Sequence, residues 1–396
     1  MISNRVSTMQ ASPIRKLVPF ADAAKKRGTY VYHLNIGQPD INTPPEIINA
    51  IRNFSASIIP YGYSQGEPYL REAICEYFTH YNLKVAPEQI VVTNGGSEAI
   101  SFAFSIVADP GQEIIAFEPY YTNYNSYAST NDLKIVPVTT KAENGFALPP
   151  IDEIESRITH RTRAILLCSP NNPTGTVYTR EEMKRVVDLA LKHKLYIISD
   201  EVYREFIYDG AGYTSMLSFP EAEERVIVVD SISKRYSACG ARVGYLVCKN
   251  KEVICGAMKL AQARLCPPMV EQVGAAAGFR LSFDYFKTVQ QEYKRRRDIM
   301  YKELKKIPGV VLEMPQGAFY MVVKLPIADS EDFARWLLES FEYEKQTVMV
   351  APAQGFYSTT GMGTDEVRMA YVLECDKLEK AMKVFGEALK VYPGRI

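Results

Sequence analysis

Short apolar runs rich in β-branched residues recur along the middle of the chain, and stretches with helical periodicity separate them. The runs cover residues 90–93, 113–117, 134–138, 164–168, 195–199, 226–229 and 244–248. Strands that alternate with helices predict a largely parallel sheet covered on both faces, because parallel neighbours need a crossover connection. Ligands of such sheets bind outside the carboxyl ends of the strands, so we expect functional residues directly after these runs.

The segments on either side of this region have other patterns. Before it, the sequence predicts an amphipathic stretch at 13–26, a short strand within 33–40, a helix at 44–54 and a helix that begins near residue 67. After it, a long charged helix at 283–307 leads to a smaller α+β region with strands at 310–313, 319–323 and 367–371. The predicted organisation is an N-terminal arm with part of a small domain (1–48), a large domain (49–285) and a small C-terminal domain (286–396).

Two glycines follow the first predicted strand, in Asn94-Gly95-Gly96-Ser97-Glu98, and open an apolar helix over 99–107. Free backbone N–H groups at such a helix start, together with the positive end of the helix dipole, bind anions. An ordinary turn with Ser97 as the helix N-cap fits the same residues equally well. Gly96 and Ser97 are therefore candidates for an anion site, with both interpretations open.

Tyrosines, an Asn-Pro turn and an acid follow the next strands. The tyrosines at 120, 121 and 124 suit either a packed core or a ring stacked on a flat ligand. The segment Ser169 to Gly175 predicts a turn, with a candidate cis peptide bond between Asn172 and Pro173. Asp200 is either a helix cap or an acid that shares one site with the phenol of Tyr203.

The stretch Ser231-Ile232-Ser233-Lys234 follows the strand at 226–229, and Arg242 comes eight residues after the lysine. Taken alone, Lys234 fits a solvated loop. Two cations and two hydroxyls near glycines also suit a dianionic phosphate, and a desolvated lysine beside a second cation is a nucleophilic amine. Arg368 lies on an apolar strand, where an arginine favours a carboxylate partner.

Composition narrows the classes of function. The 46 basic and 46 acidic residues balance, so no net charge attracts nucleic acid or an acidic membrane. Seven cysteines at irregular spacings, without a CxxC pair, favour a reducing compartment and predict neither a disulfide framework nor a zinc site. No apolar run approaches the length of a membrane span, and the first residues lack the apolar core of a secretory signal, so we expect a cytoplasmic protein. The four histidines lie in neither glycine-rich nor carboxylate-rich contexts, which leaves lysine as the better candidate base.

Taken together, these motifs resemble the class I/II aminotransferases, the fold type I pyridoxal-phosphate enzymes typified by aspartate aminotransferase. The resemblance covers nearly the whole chain, from Ser12 to the last helix. It rests on the order and spacing of Asn172 in NNPTG, Asp200 and Tyr203 in DEVY, Lys234 in SISK, Arg242 and Arg368. It implies an α/β architecture with a seven-stranded, mostly parallel sheet in a large domain that binds the cofactor, plus a smaller α+β domain.

The resemblance also implies catalytic roles around pyridoxal 5'-phosphate. Lys234 would bind the cofactor covalently and then carry the proton between the substrate α-carbon and the cofactor. Asp200 would pair with the ring nitrogen, as is usual for this cofactor. Tyr203 and Asn172 would hydrogen-bond the ring oxygen, and Tyr121 would stack on the ring.

Binding roles follow from the same resemblance. The phosphate would be held by Gly96, Ser97, Ser231 and Arg242, with Tyr61 reaching it from a neighbouring subunit. That contact implies a homodimer with shared active sites. Arg368, the N–H of Gly37 and Asn172 would hold the substrate α-carboxylate, and closure of the small domain would exclude water.

The implied reaction is ping-pong transamination between an amino acid and a 2-oxo acid, with aspartate or a related amino acid and 2-oxoglutarate as the expected pair. One bacterial branch of aspartate aminotransferases has a lysine after the paired glycines, where this chain has Ser97. Arg15 and Arg264 are the candidates for a second carboxylate-binding cation. An aromatic or aliphatic substrate, a β-lyase, an aminocyclopropane-carboxylate-synthase-like enzyme and a ligand-sensing module of a regulator stay open as alternatives, and the balanced charge argues against the last.

Overall fold

A computed structural model of the chain describes residues 2–396, and these residues form both the predicted large sheet and two smaller ones. The strands are β1 (Tyr30–His33), β2 (Ile90–Asn94), β3 (Glu113–Glu118), β4 (Lys134–Thr139), β5 (Thr162–Cys168), β6 (Tyr196–Asp200), β7 (Val226–Ser231), β8 (Val243–Val247), β9 (Tyr320–Lys324), β10 (Gln346–Met349), β11 (Ala351–Pro352) and β12 (Glu366–Ala370). Each of the seven apolar runs of the middle region is thus a strand.

The helices fill the connections between these strands. They are α1 (Asn4–Ser7), α2 (Val18–Lys26), α3 (Pro45–Arg52), α4 (Pro68–Thr79), α5 (Gly96–Val107), α6 (Asn123–Thr130), α7 (Ile151–Glu155), α8 (Arg180–Lys192), α9 (Ile232–Arg235), α10 (Lys251–Arg264), α11 (Met269–Phe279), α12 (Asp284–Leu304), α13 (Ser330–Glu339) and α14 (Cys375–Val391). None of these helices combines the length and the apolarity needed to cross a membrane.

The seven-stranded sheet has the strand order β2-β8-β7-β6-β5-β3-β4. All neighbours run parallel except β8, which is antiparallel to both β2 and β7. Alternate residues of the interior strand β5 face opposite ways, as the pleat of a strand requires. Ile165 and Leu167 pack into the hydrophobic core on one face of the sheet, and Ala164 and Leu166 into the core on the other. The predicted mostly parallel sheet, covered on both faces, is therefore confirmed.

The two smaller sheets bring the start and the end of the chain together. Strands β11, β12 and β9 form an antiparallel sheet, and β1 pairs in parallel with β10. Leu34, directly after β1, connects the two sheets: its N–H donates to Met349 over 2.9 Å and its carbonyl accepts from Ala370 over 2.7 Å. The first part of the chain thus packs with the C-terminal part, while the predicted domain limits (1–48, 49–285 and 286–396) stay a prediction.

One predicted strand is wrong. The segment 310–313 forms only an isolated bridge between Val311 and Lys324. Gly309 before it has a φ of +85°, which turns the chain, and within the segment only Leu312 is buried. One anchored side chain does not hold a strand against the edge of β9. The strand predicted within 33–40 is also displaced, because β1 ends at His33.

Candidate active site

A cavity of about 660 Å³ lies at the carboxyl ends of β2, β3, β5, β6 and β7. This is the edge of the sheet at which the topology predicted the functional residues. The structure brings together every predicted site residue except Tyr61. Those that line the cavity are Gly37, Gly96, Ser97, Tyr121, Asn172, Asp200, Tyr203, Ser231, Lys234, Arg242 and Arg368.

Lys234 lies in the four-residue helix α9, directly after β7. Ser231 caps this helix, since its side-chain oxygen accepts a hydrogen bond of 3.3 Å from the N–H of Ser233. The amine of Lys234 donates to the carbonyl of Gly37 over 2.9 Å, and the sulfur of Cys239 lies 4.0 Å from the same nitrogen. Lys234 is therefore a half-buried amine held in the cavity and not a solvated loop residue.

The start of helix α5 forms a cradle without a capping side chain. The helix begins at Gly96, and its N-cap is Gly95, with a φ of 77°. Ser97 is not the N-cap but lies in the first turn, so the capping interpretation is wrong. The guanidinium of Arg242 lies against Gly95, where an added Cβ would come within 2.3 Å of Nη2 of Arg242. Ser231 faces Gly96, so free N–H groups, a hydroxyl and a cation converge in an arrangement that suits a phosphate.

Asp200 stands at the end of β6 and is buried. One carboxyl oxygen accepts from the hydroxyl of Tyr124 over 2.7 Å, and the other accepts from the N–H of Val202 over 3.3 Å. No cation pairs with this carboxyl among the described residues. Burial, more than any other cause, raises the pKa of Asp200 from 3.8 to about 6. Asp200 therefore does more than cap a turn: it presents a desolvated acid that a cationic partner would ionise.

The tyrosines of the cavity have different roles. Tyr124 packs in the core behind Asp200, whereas Tyr121 lines the cavity and accepts a hydrogen bond of 2.8 Å from Asn123. The hydroxyls of Tyr203 and Tyr320 lie 2.9 Å apart, and burial raises the pKa of Tyr203 well above its usual value. The hydroxyl of Tyr203 thus stays protonated and able to donate.

Arg368 projects from β12 and is buried. Its guanidinium donates to the carbonyl of Asn35, and over 3.2 Å to the side-chain oxygen of Asn172. Its Nε has no hydrogen-bond partner, and the group lies 4.6 Å from the ring centre of Tyr320. The peptide bond that follows Asn172 is cis, as predicted. An arginine that is held by neutral groups and keeps an unused donor is free to bind a carboxylate.

The charges around the cavity do not cancel one another. Arg15, Lys234, Arg242 and Arg368 line it, and none of them forms an ion pair within residues 2–396. Of the two carboxyls that line it, Asp230 pairs with Arg204 and Arg235, and Asp200 has no cationic partner. The cavity thus has four free cations and one free buried carboxyl, which suits a ligand set that carries several negative charges and one positive charge.

Two predicted residues lie elsewhere. Tyr61 is 79% exposed and does not line the cavity; Ile58, Ile59 and Tyr63 on the same segment are also exposed. Arg264 is outside the cavity as well, because its guanidinium donates to the carbonyls of Ser64 and Val92 and lies 3.6 Å from Glu98. Of the two candidates for a second carboxylate-binding cation, only Arg15 lines the cavity.

Some residues of the site have contacts that the sequence does not predict. Tyr124 supports Asp200, Tyr320 contacts both Tyr203 and Arg368, and Cys239 lies next to Lys234. Each lies in or next to a motif that stood out, but its role depends on a partner far away in the chain. Only the packing of the strands and loops reveals these contacts.

Comparison with known proteins extends this description. The model of the family "Aminotransferase class I and II" matches residues 29–385. The aspartate aminotransferase of Sulfurisphaera tokodaii is 34% identical over 92% of this chain and 91% of its own. Among solved structures, the aspartate aminotransferase of Thermotoga maritima has a TM-score of 0.90 at 32% identity and covers 98% of this chain and 100% of its own. An alanine aminotransferase from Pyrococcus furiosus has the same TM-score, identity and coverage.

Proposed function

The chain belongs to the class I and II aminotransferases, and we propose that it catalyses the ping-pong transfer of an amino group from aspartate, or a related amino acid, to 2-oxoglutarate with pyridoxal 5'-phosphate as cofactor. The observation that carries this proposal is the set of four unpaired cations and one unpaired buried carboxyl around a single cavity. A phosphate, two substrate carboxylates and a cationic ring would complete that set.

The residues present fit the cofactor. The bare start of α5, the hydroxyls of Ser97 and Ser231 and the cation of Arg242 suit a phosphate dianion. The carboxyl of Asp200, buried without a cation, suits a protonated ring nitrogen, because the charged partner would offset the cost of ionising the acid. Tyr121 would lie against the ring, and the hydroxyl of Tyr61 from a second copy would complete the phosphate site.

Lys234 is the amine at which the chemistry is centred. When bound, pyridoxal phosphate supplies an aldehyde that reacts with amines and a ring that accepts the electron pair left at the substrate α-carbon. Nζ of Lys234 would take the proton from that carbon and deliver it at the end of the transfer. The carbonyl of Gly37, 2.9 Å from Nζ, holds the amine inside the cavity before the ligand arrives.

Asn172 and Tyr203 orient the ring oxygen. The side-chain oxygen of Asn172 accepts from Arg368, so its amide nitrogen is left to donate. The hydroxyl of Tyr203, 2.9 Å from that of Tyr320, provides a second donor. Asp200, Asn172 and Tyr203 would thus fix the position and the protonation of the ring.

Arg368 would bind the substrate α-carboxylate. Its fork of donors matches a carboxylate in geometry and charge, and Asn172 and the N–H of Gly37 would add hydrogen bonds. Holding this carboxylate turns the Cα–H bond toward Lys234, and such positioning lowers the barrier. Gly37 and Arg368 belong to the segments that form the smaller sheets, so we infer that residues 1–48 and 286–396 close over residues 49–285 when substrate binds.

Arg15 supports a second carboxylate on the substrate. Of the four unpaired cations, Lys234 is assigned to the reacting amine, Arg242 to the phosphate site and Arg368 to the α-carboxylate site. Arg15 is the one that remains. Ile14 and Val18, which are close to Arg15 in the chain, and Ile36 line the same cavity. A side chain with a short apolar stem and a terminal carboxylate, as in aspartate and glutamate, fits this combination.

A homodimer would supply Tyr61. This residue and Ile58, Ile59 and Tyr63 expose between 63% and 79% of their surface, an uncommon density of large apolar groups on one segment. We infer that they meet a second copy of the chain. All seven cysteines are free, which supports action in a reducing compartment such as the cytoplasm.

The decisive experiment is a panel of single amino acids added to the purified, cofactor-loaded protein without an oxo acid. Transamination predicts that aspartate or glutamate changes the absorbance of the bound cofactor and that 2-oxoglutarate reverses the change. If no amino acid produces this half-reaction, the proposal is wrong. Release of ammonia and pyruvate, or loss of a thiol, without any acceptor would instead identify a lyase.

A further inference from the structure

Five charged side chains lie buried in and behind the wall of the cavity, where only Asp230 reaches its surface, and the reaction as described does not use them. This buried charge cluster comprises Glu201, Arg204, Glu205, Asp230 and Arg235, none more than 7% exposed. Tyr77, Tyr213 and Tyr245 border it, each through a hydroxyl bonded to one of the carboxyls. Three acids and two arginines thus share a space with little access to solvent.

Asp230 is the centre of the cluster. One of its carboxyl oxygens accepts from the hydroxyl of Tyr245 over 2.7 Å, lies 3.2 Å from Nη2 of Arg204 and also pairs with Arg235. Its other oxygen accepts from the N–H of Ser231 over 2.6 Å. Ser231 lines the phosphate cradle, so one carboxyl is bonded to the site and to both arginines.

The cluster joins two segments beyond the point where the pairing of β6 with β7 ends. The register of β6 and β7 ends at Asp200 and Val229, and the next bond is donated by the N–H of Glu201 to the carbonyl of Val229 over 3.0 Å. Beyond it, the structure describes no backbone hydrogen bond between residues 202–206 and 230–236. The ion pairs Arg204–Asp230 (3.2 Å) and Glu205–Arg235 (3.4 Å) connect them instead, each segment giving one cation and one acid.

Every member of the cluster lies within two residues of a predicted site residue that lines the cavity. Glu201 follows Asp200, Arg204 and Glu205 follow Tyr203, Asp230 precedes Ser231, and Arg235 follows Lys234. A shift of the ion pairs would therefore move the amine, the ring-nitrogen acid and the phosphate site relative to one another.

Stability alone is a poor explanation for the cluster. Transferring five charges from water into the protein interior costs free energy, and the attraction between buried charges often does not offset this cost. Replacing such charged groups with apolar side chains is often neutral or stabilising. Burial also raises the pKa of Glu205, a sign that desolvation there outweighs the attraction of Arg235. Forked hydrogen bonds specify a geometry better than apolar contacts do. A role in fixing the geometry of the site therefore explains the cluster better than stability does.

We propose that Asp230, acting through Arg204 and Arg235, is a positioning residue that holds Lys234 and Ser231 in register with Asp200 and Tyr203. The inference rests on the proposed function, because the register matters only if these residues share one ligand. Asp230 itself is not expected to touch the substrate.

The test is Asp230→Asn in the cofactor-loaded protein, a change that keeps the shape and removes the charge. The variant should bind amino acid with a KM unchanged to within about threefold, because the clamp at Arg368 is intact. Its kcat should fall about tenfold to a hundredfold, as misplacement of reacting groups does. The visible circular dichroism of the bound cofactor should decrease and its dissociation constant should rise, since both report the ring position and the phosphate site without turnover.

Arg297→Met is the matched control. Arg297 is equally buried and paired, with Asp209 at 2.7 Å, but it does not line the cavity. This variant should lose thermal stability and keep the kcat and the circular dichroism of the unchanged protein. If Asp230→Asn behaves in the same way, the inference is overturned.

Tyr245→Phe serves if Asp230→Asn does not fold. It removes one hydrogen bond from the same oxygen of Asp230 and leaves every charge in place. Smaller changes in kcat and dichroism, in the same direction, support the inference, and unchanged values overturn it. If the unchanged protein binds no cofactor or gives no half-reaction, the proposed function fails, and this inference fails with it.

Discussion

The side-chain amine of Lys234 donates a hydrogen bond of 2.9 Å to the carbonyl oxygen of Gly37, which lies 197 residues away in the chain. The bond joins the end of β7 in the large sheet to the loop after β1. Tyr320 packs over the same glycine, so closely that a Cβ at Gly37 would come within 1.7 Å of its hydroxyl. Gly37 thus provides the carbonyl that holds the amine at a position where Tyr320 leaves no room for a side chain.

Replacing Lys234 tests the centre of the proposal. Lys234→Ala should abolish turnover, because Nζ is the group that would carry the α-proton and bind the cofactor covalently. The fold should persist, since the side chain makes only one hydrogen bond to oxygen. Borohydride reduction followed by mass spectrometry should place the cofactor on Lys234 in the unchanged protein and on no residue of the variant. Substantial residual turnover would contradict the assignment.

Replacing Arg368 tests the α-carboxylate site. Arg368→Ala should raise the KM of every amino acid, because two lost charge-assisted hydrogen bonds cost about 3 kcal/mol or more, roughly a hundredfold. Arg368→Lys should recover little of this loss, since it keeps the charge and loses the fork. Steady-state kinetics with alanine and aspartate measure both effects. Equal KM values in variant and unchanged protein would exclude this role.

Replacing Arg15 tests whether the substrate carries a second carboxylate. Arg15→Met should lower kcat/KM for aspartate and glutamate about tenfold or more, the value of a hydrogen bond to a charged group, and leave that for alanine nearly unchanged. Arg264→Met is the control, because this arginine lies outside the cavity and pairs with Glu98. A uniform loss for all substrates with Arg15→Met would argue against a side-chain carboxylate at this position.

The raised pKa of Asp200 predicts that the stability of the cofactor-free protein depends on pH. Its pKa is 3.8 when unperturbed and about 6 in the fold, so between these values the folded chain binds a proton that the unfolded chain has lost. The contribution of this group to the free energy of unfolding therefore falls as the pH rises from about 4 to about 6, by up to about 3 kcal/mol.

Denaturation of Asp200→Asn measures this contribution by difference. The stability of the unchanged protein relative to the variant should decrease across the same pH interval, and the decrease should be smaller once cofactor is bound, because a cationic ring would favour the ionised acid. A difference that is independent of pH would show that Asp200 does not titrate in this range.

Much of the fold follows from local patterns. The runs at 90–93 and 226–229 are strands because their β-branched residues face a hydrophobic core on both sides of the large sheet. The cis bond at Asn172–Pro173 was predicted from one dipeptide. The segment 310–313 shows the limit of this reasoning, because its apolar residues resemble a strand although only Val311 finds a partner.

The candidate site was predictable as far as its residues directly follow strands. Parallel topology alone gathers Asp200, Ser231 and the start of α5 at one edge of the sheet. It does not predict that Tyr124 supports Asp200, because that contact spans 76 residues and depends on how α6 packs. Nor does it distinguish Arg15 from Arg264, which share charge and length and differ only in where the chain carries them.

The sequence by itself determined the sheet, the family and the residue types that line one cavity, because strand periodicity and motif spacing are local properties of the chain. Only the tertiary structure decided which cations are left free and which are paired. Asp230 and Asp200 both lie near the carboxyl ends of strands of the same sheet, yet the first binds two arginines and the second binds none. Such pairing depends on side chains that folding brings together from distant segments of the chain. It distinguishes the charged groups that stabilise the site from those that are free to bind a ligand.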